Sequence, residues 1–102
     1  MNFNEMNLPT EILGNLTRMG ILIPTEIQKQ SIPSAIQGSD ILASSQTGSG
    51  KTLAYLLPAI TKILQERAKI LVLVPTRELA VQVCAALNKT AGRIKISGAA
   101  II

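Results

Sequence analysis

Histidine and tryptophan are absent from this 102-residue chain, and cysteine, phenylalanine and tyrosine occur once each. Without histidine, hydrolytic triads built on an imidazole and most zinc sites are excluded. A single cysteine, Cys84, cannot close an internal disulfide, which suits a reducing compartment and makes the cytoplasm the expected location. Cys84 falls on an apolar helical pattern and reads as a buried structural thiol. No apolar run approaches the ~20 residues of a membrane span, so no membrane partner is expected. Met1 to Met6 lacks the basic-then-apolar order of a secretory leader. Acids are also few, six against ten lysines and arginines, for a net charge of +4. Seven of the ten cations lie between Lys62 and Lys95, where Glu66 and Glu78 are the only acids. That balance suits a polyanionic partner and equally a solvated surface.

What remains is aliphatic. Hydrophobic residues make up 47% of the chain and aromatics only 2%, a composition fitted to buried parallel strands covered by helices. The length allows one domain at most.

The most informative stretch is Ser45-Gln46-Thr47-Gly48-Ser49-Gly50-Lys51-Thr52. It follows a short apolar segment (Ile41, Leu42, Ala43) and opens a helical pattern (Leu53, Leu56, Leu57, Ile60), the strand–loop–helix setting that a phosphate-binding loop needs. Gly48 and Gly50 let the backbone turn tightly and bring N–H groups against an anion. The positive end of the following helix faces the same phosphates. Lys51 is placed to reach the β- and γ-phosphates of a nucleoside triphosphate, and the Thr52 hydroxyl to ligate its Mg²⁺. Ser45 stands where the usual pattern opens with glycine. The plainer reading is a polar turn capping a helix, with Lys51 solvated.

Along the chain, Pro9 suits a helix start, with Ile12, Leu16 and Met19 on one face and Gly20 at the end. A second helix begins after Pro24, where Thr25 and Gln28 have capping-box spacing. Pro33 interrupts that helix or starts another turn, and Gly38-Ser39-Asp40 leads into the first strand. The helix after the phosphate loop runs to about Gln65, with Pro58 inside it as an expected kink. The run Ile70-Leu71-Val72-Leu73-Val74 reads as a central strand buried on both faces and ended by Pro75. Leu79, Val83, Ala86 and Leu87 form the stripe of another helix, and residues 94–102 supply a third strand. Strands alternating with helices predict an α/β fold, an open and mostly parallel sheet flanked by helices.

The phosphate loop is preceded by Gly20-Ile21-Leu22-Ile23-Pro24-Thr25-Glu26-Ile27-Gln28 and followed by Pro75-Thr76-Arg77-Glu78-Leu79-Ala80. With Phe3 upstream, this order resembles the Q motif, motif I and motif Ia of the DEAD-box ATP-dependent RNA helicases, up to about Asn88. The resemblance implies an incomplete P-loop NTPase (RecA-like) domain, with residues 1–38 a Q-motif helical region and 39–102 part of the helicase ATP-binding domain. It implies that Gln28 reads adenine, since a carboxamide donates and accepts at once. Phe3 would pack near the base. Residues 45–52 would hold the phosphates of ATP with its Mg²⁺. Pro75, Thr76 and Arg77 would touch the backbone of RNA, a contact that positions without reading sequence and carries no DNA specificity. Each role has a plainer rival: Gln28 closes the capping box of Thr25, Phe3 packs the first helix, and Thr76 is an N-cap. Arg77 at a helix start opposes the dipole, so a phosphate explains it better than capping. Ile21 stands where many members carry an aromatic.

Nothing in these residues matches the family's Asp-Glu-Ala-Asp motif, its Ser-Ala-Thr motif or its second domain. Hydrolysis needs a carboxylate at a strand end for Mg²⁺, a group to orient water, and an arginine for transition-state charge. None of Glu5, Glu11, Glu26, Asp40, Glu66 or Glu78 follows an apolar strand. The expectation is an ATP-binding N-terminal piece that alone hydrolyses and unwinds negligibly. The alternative is a non-catalytic remnant, or an interaction module that a second chain completes.

Overall fold

The computed structural model describes residues 1–44 and 50–96. A 3₁₀ turn over Phe3–Glu5 leads into α1 (Thr10–Arg18), α2 (Glu26–Ile36), α3 (Lys51–Glu66) and α4 (Arg77–Ala91). Pro9 sits just before α1 in the extended conformation that its ring favours, and its carbonyl accepts the N–H of Leu13 at 3.1 Å. Thr25 caps α2, and Thr76 caps α4 by accepting the Leu79 N–H on Oγ1 at 3.1 Å. Pro33 does not interrupt α2. The helix runs through it to Ile36, because an i−4 bond lost one turn from the end is offset by tertiary packing of Ile32, which is fully buried.

The core is built from the amphipathic faces of these helices. Phe3 and Met6 from the 3₁₀ segment, Ile12 and Leu16 from α1, Ile32 from α2, and Leu57 and Ile60 from α3 form one buried cluster. Burying each of these side chains contributes about 1.5–3 kcal/mol relative to leaving it in water. Helix α2 packs chiefly on α3, while α4 meets α1 and α3. The attachment of α4 to α1 is polar. Asn15 is buried, and its Nδ2 donates to the carbonyls of Thr90 (3.0 Å) and Ala91 (2.8 Å), satisfying the otherwise unpaired end of α4. The Arg18 guanidinium donates in turn to Asn15 Oδ1 at 3.0 Å. At Gly92, where φ is +58°, a Cβ would come within 3.0 Å of the Asn15 side chain, so glycine allows this approach.

The expected strands are not formed among the described residues. Residues 41–43 and 70–74 lie in irregular conformation, and Leu42, Leu71 and Leu73 are largely exposed. The physical reason is that a strand exists only through its neighbours. Aliphatic sequence supplies the propensity, but the N–H and C=O groups of residues 70–74 have no backbone hydrogen bond among the described residues. With no sheet beneath it among the described residues, the apolar stripe of α4 is only partly covered, Leu87 alone of it packing against the core cluster. Leu79 is exposed, and Val83, Cys84, Ala86 and Leu87 are half-buried, so Cys84 is not the fully buried thiol expected. Ile94 and Ile96 pack against the core without forming a strand, and residues 97–102 lie outside the described residues. No described helix is long and apolar enough to cross a membrane.

Candidate nucleotide-binding site

The start of α2 and the start of α3 meet through one side chain. At the head of α2 the expected capping box is present in both directions. Thr25 Oγ1 accepts the backbone N–H of Gln28 at 3.4 Å, and Gln28 Oε1 accepts the backbone N–H of Thr25 at 2.9 Å. Capping, however, uses only half of the carboxamide. Its Nε2 donates to the carbonyl of Gly50, 22 residues away, at 3.1 Å. Gln28 is only 2% exposed while Gly50 is half-buried, so the bridge is part-buried, with its donor side shielded from water. One N–H and one lone pair of the carboxamide remain uncommitted to these partners.

Gly50 must be glycine for two independent reasons. Its φ is +89°, a left-handed conformation that side chains resist. A Cβ there would also come 2.6 Å from Gln28 Nε2 and 2.7 Å from Thr25 Oγ1. Glycine therefore lets the heads of α2 and α3 approach this closely. From Gly50 the chain enters α3, with Lys51 exposed at its first position and Thr52 half-buried at its second. No acid lies in the first turn of α3, so an anion placed there meets the positive end of the helix without a competing carboxylate. Ser45, Gln46, Thr47, Gly48 and Ser49 lie outside the described residues.

The donor set limits how a metal could be held. Among the described residues no group of three or more His, Cys, Asp or Glu side chains converges. The Thr52 hydroxyl alone fits Mg²⁺ that arrives on phosphate oxygens and keeps its waters, not a metal caged by protein.

The remaining candidates belong to other elements. Phe3 is buried in the helical core beside α1, as its plainer reading held. Pro75, Thr76 and Arg77 stand exposed at the head of α4, where Thr76 serves as cap and Arg77 lines a groove between α3 and α4. Sequence spacing paired Gln28 with Thr25 but gave no signal for the contact with Gly50. Nor did it mark Asn15, although a short amide between Ile12 and Leu16 on an apolar helical face invites a search for buried partners.

The chain is similar to known proteins. The family model described as DEAD/DEAH box helicase matches residues 25–102. An ATP-dependent RNA helicase of Lodderomyces elongisporus is 48% identical over 85 residues, covering 79% of this chain and 12% of that protein. The DEAD-box ATP-dependent RNA helicase CshA of Streptococcus pneumoniae is 48% identical over 84 residues, 80% of this chain and 16% of that one. Among solved structures, a DEAD box protein from the hyperthermophile Methanococcus jannaschii aligns with a TM-score of 0.84 at 38% identity, over 94% of this chain and 27% of its own. An RNA helicase from Chaetomium thermophilum bound to ADP aligns with a TM-score of 0.80 at 41% identity, over 88% of this chain and 24% of its own. The chain thus spans between about an eighth and a quarter of the length of these relatives. With the capping box of Thr25 and Gln28 tied to Gly50 at the head of α3, and the family match running from Thr25 onward, the chain belongs to the DEAD/DEAH box helicase family.

Proposed function

We propose that these 102 residues hold ATP for an RNA helicase. They would do so as part of a RecA-like ATP-binding domain (39–102) preceded by a Q-motif region (1–38). The observation that carries this reading is the Gln28–Gly50 bridge, which joins the proposed base reader to the end of the phosphate loop at 3.1 Å. Gln28 would present its uncommitted N–H and lone pair to N7 and N6 of adenine. Residues 45–50 would supply backbone N–H groups to the phosphates, Lys51 an ammonium group, and Thr52 a hydroxyl for Mg²⁺. Bound Mg²⁺ would neutralise charge on the phosphates. The ADP named for one structural relative, at 41% identity, supports the ligand class. Pro75, Thr76 and Arg77 would hold RNA by its backbone, in keeping with relatives named as RNA helicases.

Binding is the extent of the activity proposed for this polypeptide. None of its six acids stands at the end of an apolar strand to hold Mg²⁺ as phosphoryl transfer requires, so the 102 residues alone hydrolyse ATP negligibly. Competition of unlabelled ATP and GTP against a fluorescent ATP analogue tests the reading. ATP displaces the analogue at lower concentration if Gln28 reads the base, and equal displacement removes that role. A second reading, an interaction module completed by another chain, is favoured by one observation: the exposed aliphatic residues of 70–74.

A further inference from the structure

Asn15 belongs to α1, but its carboxamide serves α4. Its Nδ2 donates to the carbonyls of Thr90 at 3.0 Å and Ala91 at 2.8 Å, from a side chain 4% exposed. Those carbonyls lie in the last turn of α4, where no partner within the helix can satisfy them. The orientation of the carboxamide is fixed from behind. The Arg18 guanidinium has only donors, so it must face Oδ1, which leaves both N–H groups of Nδ2 for the carbonyls. Gly92 leaves room for this on the other side, since a Cβ there would meet Asn15 at 3.0 Å. Thr90 and Ala91 are the buried residues of α4, so the tie lies in the turn by which that helix is seated.

We propose that Asn15 is a positioning residue for RNA: from the last turn of α4 it sets where the first turn presents Arg77 to a phosphate of a single strand. The inference rests on Pro75, Thr76 and Arg77 being a contact to the RNA backbone. Helix α4 has 15 residues and is about 22 Å long, so a tilt of about 5° at its last turn moves its first residue by about 2 Å. A charge-assisted hydrogen bond tolerates only a few tenths of an ångström, so a shift of that size breaks a direct phosphate contact. Thr76 moves with the helix, because its Oγ1 accepts the Leu79 N–H at 3.1 Å, so cap and cation shift together. Asn15 is neutral and stands at the opposite end of α4 from Arg77, so it acts on RNA only through the helix.

The test is binding of a fluorescein-labelled oligouridylate to the 102-residue chain by anisotropy, over a series of salt concentrations, at a temperature where circular dichroism shows parent and variants folded. Asn15→Ala should weaken binding about three- to tenfold, between the worth of an exposed ion pair and that of a charge-assisted hydrogen bond. It should also reduce the slope of log affinity against log salt by about 0.7, as the loss of one phosphate contact does. That slope separates positioning from stability. Replacing one neutral side chain by another removes no cation, and a variant that is merely less folded loses affinity while keeping its slope. Added to Arg77→Ala, Asn15→Ala should cost nothing further, because the contact it positions is already gone. Displacement of the fluorescent ATP analogue should match the parent's, since the Gln28–Gly50 bridge joins α2 to α3. Thr90→Val is the control at the same junction. Thr90 Oγ1 is buried with no hydrogen-bond partner among the described residues, so its loss should leave the tie and the RNA affinity unchanged. If Asn15→Ala does not fold, Asn15→Ser, which retains a donor inside the junction, should show the same change of slope. A folded Asn15 variant with the parent's affinity or salt slope, a further loss on top of Arg77→Ala, an equal loss in Thr90→Val, or a parallel fall in ATP affinity overturns the inference and leaves the RNA reading standing. A parent chain that binds no oligouridylate overturns both.

Discussion

Replacing Gln28 by Glu separates capping from bridging. A glutamate at this helix position closes a capping box as well as a glutamine does, because both accept the N–H of the cap residue. If capping were the whole of the role, Gln28→Glu would leave stability nearly unchanged. The structure predicts otherwise, because the carboxamide also donates to the Gly50 carbonyl at 3.1 Å from a site only 2% exposed. A carboxylate there has no hydrogen to donate and faces a carbonyl oxygen instead. One part-buried hydrogen bond is lost and a charge on a buried side chain is left poorly solvated, a cost of about 3 kcal/mol. In a domain of this size that lowers Tm by more than about 10 °C. The loss has a pH signature. Burial and the facing carbonyl raise the folded-state pKa of the substituted carboxyl above its unfolded value. The protonated acid can donate to Gly50, so its contribution is fully present below the unfolded pKa and is lost as pH rises through the folded pKa. Thermal melts of parent and Gln28→Glu chains between pH 4 and 8 check this, with the difference expected to widen as pH rises. Gln28→Ala, which removes both side-chain bonds, should instead cost about 1–3 kcal/mol with no such pH dependence. Its cost is limited because Gly50 O keeps the Ala54 N–H at 3.2 Å. Coincident melts of parent and Gln28→Glu at pH 7, or a gap independent of pH, would refute the bridge.

Three further substitutions probe other parts. Gly50→Ala should destabilise the fold and abolish nucleotide binding together, since φ is +89° and the new methyl meets Gln28 Nε2 at 2.6 Å; an unaltered melt with normal ATP titration contradicts the close approach. Asn15→Ala uncaps the end of α4 by removing the bonds to Thr90 and Ala91 at 3.0 and 2.8 Å. The expected loss is about 1–3 kcal/mol by denaturant titration, and a midpoint within error of the parent's argues against that tie. Arg77→Ala should weaken single-stranded RNA binding and reduce the slope of log affinity against log salt by about 0.7, without altering base preference. A sequence-dependent loss would mean that Arg77 does more than hold phosphate.

The helices were legible in the sequence because their signals are local. Pro9, the Thr25–Gln28 spacing, Thr76 and the apolar periodicities of α1 and α3 all act within a turn or two, and the structure keeps them. The strands were not legible in the same way. The aliphatic run at 70–74 states a preference, but pairing depends on a neighbour, and no pairing partner stands beside it among the described residues. The stripe of α4 follows the same logic, since no sheet covers Leu79 among the described residues and it is 39% exposed. At the candidate site, spacing identified Gln28 and Gly50 separately. Their contact spans 22 residues and depends on how α2 and α3 pack, which no short-range pattern encodes. Asn15 was invisible for a like reason, its partners lying 75 and 76 residues away.

Isothermal calorimetry of Mg·ATP titrated into folded 102-residue chain, beside the same titration of Lys51→Ala, is the most direct trial of nucleotide binding. A saturable heat at one nucleotide per chain, lost in the variant while its melt stays intact, is the predicted result. Folded parent protein that takes up no heat, or a variant whose isotherm matches the parent's, contradicts the account.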